Sequence, residues 1–166
     1  MADSDVPLQA LAQGCAERLL SRDQRLVVAE SCTGGWLAKV LTDLPGSSQW
    51  FERGYVTYSD CSKQEMLGVS AEILEQRGAV SEQTVEAMVR GALEKSGADL
   101  AVAISGIAGP GGGSEEKPVG TVCFAWEMRG RAPQSERRYF PGDREAVRRQ
   151  ATGYAMQQLI GILESE

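Results

Sequence analysis

The chain has 166 residues, 42% of them hydrophobic and 24% charged, which suits one domain that buries most of its apolar surface and leaves no room for a second full one. A formal net charge of −6 lacks the basic footprint of a general nucleic-acid binder, so DNA and RNA are not expected partners. An anionic small ligand is still allowed, because a few amides or cations gathered locally hold a phosphate whatever the overall sign.

No stretch approaches the ~20 uncharged apolar residues of a membrane span, and the opening MADSDVPLQA has neither the basic start nor the apolar core of a secretory leader. The expected location is the cytoplasm, with no membrane contact. Cys15, Cys32, Cys61 and Cys123 stand far apart without a C-x-x-C pair, and read as reduced thiols. The chain contains no histidine to complete a zinc set, so no metal site is expected.

In chain order, Leu8, Leu11, Ala12, Cys15 and Leu19 share one face of a first helix. Arg25 to Glu30 (RLVVAE) is a short β-branched run, read as a buried strand that ends directly at SCTGG. Trp36 to Leu41 is helical and Pro45-Gly46 breaks it. Ser31 therefore lies at a strand-to-helix junction. Tyr55 to Tyr58 reads as a strand, followed by Ser59 or Asp60 as the cap of a helix carrying Lys63, Met66 and Leu67.

Ser81 can cap a longer helix through Glu94, striped by Val85, Met88, Val89 and Ala92. Leu100 to Ile104 forms an apolar strand leading into GIAGPGGGSEEKP, and Val119 to Trp126 forms the next. Arg137 to Phe140 is a further strand, and Asp143 starts a terminal helix whose Val147, Ala151, Tyr154, Ala155 and Ile162 face the core. This alternation predicts helices on both faces of a mostly parallel or mixed sheet, with an antiparallel pair around residues 119 to 140, in a single domain over residues 1–166.

Ligands in open α/β sheets collect where strands run out at their carboxyl ends, and two loops share that setting. In SCTGG, Gly34 and Gly35 permit positive φ and close backbone approach, while Ser31, Cys32 and Thr33 are the nucleophile candidates. A tight turn with Ser31 or Thr33 as a helix cap explains the same residues. The absence of histidine removes Ser-His-Asp and Cys-His catalysis, so an activated hydroxyl needs another base. Lysine serves if burial lowers its pKa, and tyrosine can relay the proton; Lys63 and Tyr58, five residues apart across a strand-to-helix junction, are the candidates. A solvated Lys63 on a helix face is the alternative. Cys32 is the rival nucleophile, or else a small apolar core residue.

Ser105 to Gly113 holds five glycines and one proline in nine residues, a stretch able to wrap a phosphate or ribose, or to serve as a surface loop. It is not a Walker A sequence. Arg144, Arg148 and Arg149 make a basic stripe on the last helix, suited to an anion or to solvent.

The strings AESCTGG, GAVSEQTVEAM, SGIAGPGGG, KPVGTV and FPGDREAVRRQAT, in this order between about Leu8 and Ile162, resemble the CinA C-terminal domain family, known also as nicotinamide-nucleotide amidohydrolases. The resemblance implies a three-layer α/β/α fold in its stand-alone form and hydrolysis of nicotinamide mononucleotide to nicotinic acid mononucleotide and ammonia, within pyridine-nucleotide salvage. It implies no cofactor and no metal, and self-association into dimers or higher forms. By position, Ser31 matches the nucleophile, while Tyr58 and Lys63 match the base and relay. Ser105, Gly106 and Gly109 match the substrate loop, beside Cys32, Thr33, Gly34 and Gly35 of the first turn, and Arg144 with Arg148 matches basic positions able to meet the phosphate. Members commonly carry asparagine at the place of Asp60 and a small residue at that of Arg53. A carboxylate near Lys63 opposes its use as a base, which leaves a nucleotide-binding module without turnover as the alternative. A thiol enzyme using Cys32 is a third reading.

Overall fold

The structure is a computed structural model that describes residues 7–166; the opening residues 1–6, read above for a leader, lie outside the described residues. The first helix, α1 (Leu8–Ser21), buries Ala12, Cys15, Ala16 and Leu19, the stripe its spacing dictates. Strand β1 (Leu26–Glu30) is buried at every position, as a continuous apolar run requires when both faces are covered. It is followed by α2 (Trp36–Thr42), a short 3-10 turn at Ser47–Gln49 and β2 (Phe51–Val56). Then come α3 (Asp60–Leu67), α4 (Ala71–Arg77), α5 (Glu82–Glu94), β3 (Leu100–Gly106), β4 (Thr121–Met128), β5 (Gln134–Tyr139) and α6 (Arg144–Glu164).

The strands form one mixed sheet in the order β2-β1-β3-β4-β5. β1 runs parallel to both β2 and β3, whereas β3, β4 and β5 pair antiparallel. The antiparallel part therefore includes β3 as well as the expected pair. Side chains alternate across the sheet, so Val28, Val102, Phe124 and Trp126 face α1, α2 and α6. The small residues Ala29, Ala101, Ala103 and Ala125 face α5, which buries Val85, Met88, Val89 and Ala92. These two cores make the three layers α/β/α. On the second face α5 crosses the end of α3 so closely that a Cβ on Gly91 would lie 1.8 Å from the Leu67 carbonyl oxygen.

Element boundaries differ from expectation in the exposed parts. β2 begins at Phe51 and ends at Val56, so Tyr58 lies past the strand, and α4 occupies a stretch with no expected element. β4 runs two residues further along than expected, and β5 begins at Gln134. In α6, capped by Asp143, Val147, Ala151 and Ala155 are buried, while Tyr154 and Ile162 are partly buried against the same core. Among the described residues no helix is long and apolar enough to cross a membrane.

Candidate active site

β1 ends on Glu30, whose neighbours across the parallel ladders are Val56 and Ile104. Ser31 follows immediately, its amide bonded to the Ile104 carbonyl at 2.9 Å, so it stands at the carboxyl end of the parallel strands. The chain then turns through Gly34 and Gly35 at φ 59° and 100°, a left-handed path that favours glycine, before entering α2.

What holds this turn is Glu30. Its fully buried carboxylate accepts the Thr33 hydroxyl at 2.6 Å and the amides of Leu37 and Ala38 at 2.9 and 3.0 Å. A buried charge survives only with such donors, and the positive end of α2 adds to them. Glu30 was not among the expected residues; a lone acid closing an apolar strand just before a helix start is the signal that marks it. Glu30→Gln puts a donor where the first-turn amides need an acceptor, and is expected to cost about 2 kcal/mol, read as a lower midpoint in urea unfolding. An unchanged midpoint would remove Glu30 from this role.

Lys63 sits one turn into α3, whose Ser59 cap accepts the Ser62 amide at 3.0 Å. Its side chain is fully buried. The Nζ lies 2.9 Å from Ser31 Oγ and donates to the carbonyls of Thr57 at 2.8 Å and Tyr58 at 3.2 Å. Two carbonyls satisfy the two N–H groups of a neutral amine, which leaves its lone pair for the Ser31 hydroxyl proton. Burial pushes the Lys63 pKa below its usual value of 10.5; the Asp60 carboxylate pulls it back up, but less strongly.

A cleft of about 260 Å³ opens above this pair, lined among others by Ser31, Cys32, Tyr58 and Lys63. Ser105, Gly106, Gly109 and Arg144 line it from the opposite side. Ser105 Oγ donates to the Ala79 carbonyl at 2.8 Å. Tyr58 is 58% exposed, and its carbonyl, not its phenol, is what reaches the pair. The phenol oxygen accepts from Arg144 at 2.9 Å, and the same guanidinium donates to the Gly109 carbonyl at 2.8 Å, tying the two walls together. The amides of Cys32, Ala108 and Gly109, all cleft-lining residues, make no hydrogen bond among the described residues.

Thr33, Gly34, Gly35 and Arg148 are not among the lining residues. Arg148 donates to the carbonyls of Cys32 and Thr33 at 3.0 and 3.2 Å and lies over the Trp36 ring, bracing the turn from behind. Cys32 is 5% exposed, and burial pushes its thiol up to about 12, which keeps it protonated near neutrality. Arg53 lies on the β2 edge and bonds the Lys95 carbonyl at 3.0 Å. Among the described residues no three His, Cys, Asp or Glu side chains gather to hold a metal ion.

The class is thus defined by its geometry: a three-layer α/β domain with a buried serine–lysine pair where its parallel strands end, beneath a glycine-rich loop. Comparison with known proteins places it further. The CinA C-terminal domain model matches residues 8–163. The chain is 56% identical over 159 residues to the nicotinamide-nucleotide amidohydrolase PncC of Escherichia coli K12, covering 96% of this chain and 95% of that one. It is 54% identical over 156 residues to the protein of the same name from Pseudomonas putida, covering 94% and 97%. The crystal structure of a CinA superfamily protein from Klebsiella pneumoniae superposes with a TM-score of 0.93 at 43% identity, over 97% of this chain and 100% of that one. The chain belongs to the CinA C-terminal domain family.

Proposed function

We propose that the protein hydrolyses the carboxamide of nicotinamide mononucleotide to nicotinic acid mononucleotide and ammonia, in the cytoplasm, with Ser31 as nucleophile and Lys63 as its base. The observation that carries the mechanism is the 2.9 Å contact between Lys63 Nζ and Ser31 Oγ in a chain without histidine. The substrate is supported by the printed names of the Escherichia coli and Pseudomonas putida relatives.

Neutral Lys63 takes the Ser31 proton as Oγ attacks the carboxamide carbon, and the carbonyl electron pair moves onto oxygen. The amides of Cys32, Ala108 and Gly109 are available to that oxyanion. Collapse of the intermediate breaks the C–N bond, with the proton that Lys63 took from Ser31 passed to the leaving nitrogen, so that ammonia departs and Lys63 is neutral again. The Tyr58 phenol accepts from Arg144 at the cleft wall and makes no bond to the Ser31–Lys63 pair, so its place is beside the substrate rather than between the base and the leaving group. Water then attacks the acyl-serine as Lys63 takes its proton, and Lys63 returns that proton to Ser31 Oγ as the acyl–oxygen bond breaks and the acid leaves. No step requires a metal or an organic cofactor.

Purified protein supplied with nicotinamide mononucleotide is expected to release ammonia and nicotinic acid mononucleotide in equal amounts. A nucleotide-binding module without turnover would show thermal stabilisation by the ligand and no ammonia. Asp60 is the residue that favours this second reading, since its charge holds Lys63 toward the protonated state. Asp60→Asn removes that charge, lets the Lys63 pKa fall further, and is expected to shift the ascending limb of kcat/KM to lower pH. A limb that stays in place would mean that Lys63 is not the titrating base.

A further inference from the structure

The proposed hydrolysis turns a neutral carboxamide into a carboxylic acid, a group ordinarily ionised near neutrality. That acid is made at Ser31 Oγ, 2.9 Å from the Lys63 amine. Lys63 is fully buried and meets the cleft through Ser31, which lines it. Even a lysine weakened by burial is a stronger base than a carboxylate. The proton of the new acid therefore passes to the amine along this contact, the acid donating to Oγ as Oγ donates to Nζ.

The site holds both charge states of Lys63 without moving a heavy atom. In the neutral amine the Thr57 and Tyr58 carbonyls take both N–H groups, at 2.8 and 3.2 Å, and the lone pair faces the Ser31 hydroxyl. In the ammonium the third N–H donates to Oγ. Ser31 then turns its own hydrogen either to the Tyr58 carbonyl, 3.4 Å away, or to a carboxylate in the cleft. The carboxylate is the better acceptor. Ammonium, hydroxyl and carboxylate in line put opposite charges roughly 5 Å apart, which holds the proton on the amine by about a factor of 10 to 1000.

The charges already around Lys63 leave that role to the product. Asp60, in the first turn of α3, supports the protonated amine less strongly than burial opposes it, and Cys32, in the turn after β1, adds less than Asp60. Glu30, at the end of β1, spends its carboxylate on Thr33 and the first amides of α2. Arg144 of α6 serves the Tyr58 phenol and the Gly109 carbonyl. The residues that α5 buries on the α3 side of the sheet are uncharged, and β3 contributes the neutral Ser105.

We infer that the product carboxylate binds together with one proton, held on Lys63 across Ser31, whereas the carboxamide binds the neutral amine, so that the product restrains its own formation more strongly as pH falls. The inference rests on the carboxamide reading above and adds the regulation of that site. The product then competes for an enzyme form that cannot begin the reaction, because an ammonium is no base for Ser31.

The test is calorimetric binding of nicotinic acid mononucleotide from about pH 6 to pH 10, in buffers of different ionisation enthalpy, which counts the protons taken up. Wild type, Lys63→Met and Lys63→Arg are compared, so that any titration of the ligand's phosphate is common to all three. At its maximum the wild type is expected to take up at least about half a proton more than either variant, the amount that a ten-fold strengthening of proton binding produces. Above the pH of that onset its affinity should weaken by up to about ten-fold per pH unit, while that of Lys63→Arg, whose charge is permanent, stays level relative to Lys63→Met. Uptake curves that coincide for wild type and Lys63→Met overturn the inference, as does a wild type that fails to bind the acid at millimolar concentration. Ammonia release is read separately. A wild type that releases none refutes the reaction, and the proton count still decides whether a carboxylate in this cleft is bound with a proton on Lys63.

Discussion

Ser31→Ala is expected to reduce ammonia release from nicotinamide mononucleotide by on the order of 10⁴-fold or more, because in the proposed mechanism every later step depends on the acyl bond that Oγ makes. The fold should survive. Ser31 is placed by its main-chain bond to Ile104, which alanine retains, and the lost hydroxyl removes one hydrogen-bond partner of the Lys63 amine at a cost of about 1 kcal/mol. Circular dichroism and a thermal melt establish the fold, and a coupled ammonia assay reads the chemistry. Hydroxylamine added to the wild type should divert the acyl group to a hydroxamate. Ser31→Ala should form none. Turnover in this variant near the wild-type level would remove Ser31 from the mechanism and return Cys32 or a directly activated water to consideration.

Lys63→Met should also be inactive, yet no less stable at pH 7, and this pairing of outcomes separates a catalytic lysine from a structural one. The amine is fully buried with hydroxyl and carbonyl acceptors and no carboxylate bonded to it, so the folded state carries a desolvation cost that an apolar chain of similar length avoids. Lys63→Arg should be inactive too, because a guanidinium keeps its proton and cannot serve as the base. The pH dependence has a definite sign. The folded pKa lies below 10.5, so between that lowered value and 10.5 the unfolded chain binds more protons, and stability rises with pH through this window. The contribution is fully present above 10.5 and lost as pH falls through the lowered pKa. Lys63→Met should lack this rise. Denaturant midpoints across neutral and alkaline pH test it, and parallel curves for wild type and variant would contradict a buried titrating amine.

The parts of the fold legible from local pattern are those buried on both sides or marked by a cap. β1 and β3 are continuous apolar runs, and Ser81 and Asp143 announce α5 and α6 by accepting the Thr84 and Ala146 amides. The first half of β2 is not legible because it is an edge strand in which the adjacent Arg53 and Gly54, and then Val56, are exposed, which hides the alternation. α4 is two turns long, and its Ser70 cap and the following Gly78 are weak marks in so short a segment. At the site, the residue types were legible and their directions were not. Arg144 and Arg148 are four residues apart on one helix face, yet one joins the cleft walls while the other braces the turn from behind. Likewise the carbonyl of Tyr58, which no side-chain motif reports, supplies one of the contacts that hold Lys63.

Ser31 and Lys63 are 32 residues apart and meet because the strands that deliver them lie side by side, with Ala29 opposite Tyr55 and Glu30 opposite Val56. A slip of one position along that outer ladder would turn every side chain of the incoming strand over. Helical signal can therefore return early after dilution from denaturant, as local structure does, while recovered turnover waits for the outermost strand to dock in its native alignment. Regain of enzymatic rate thus times the docking of a single edge strand, an event that bulk spectroscopy averages away.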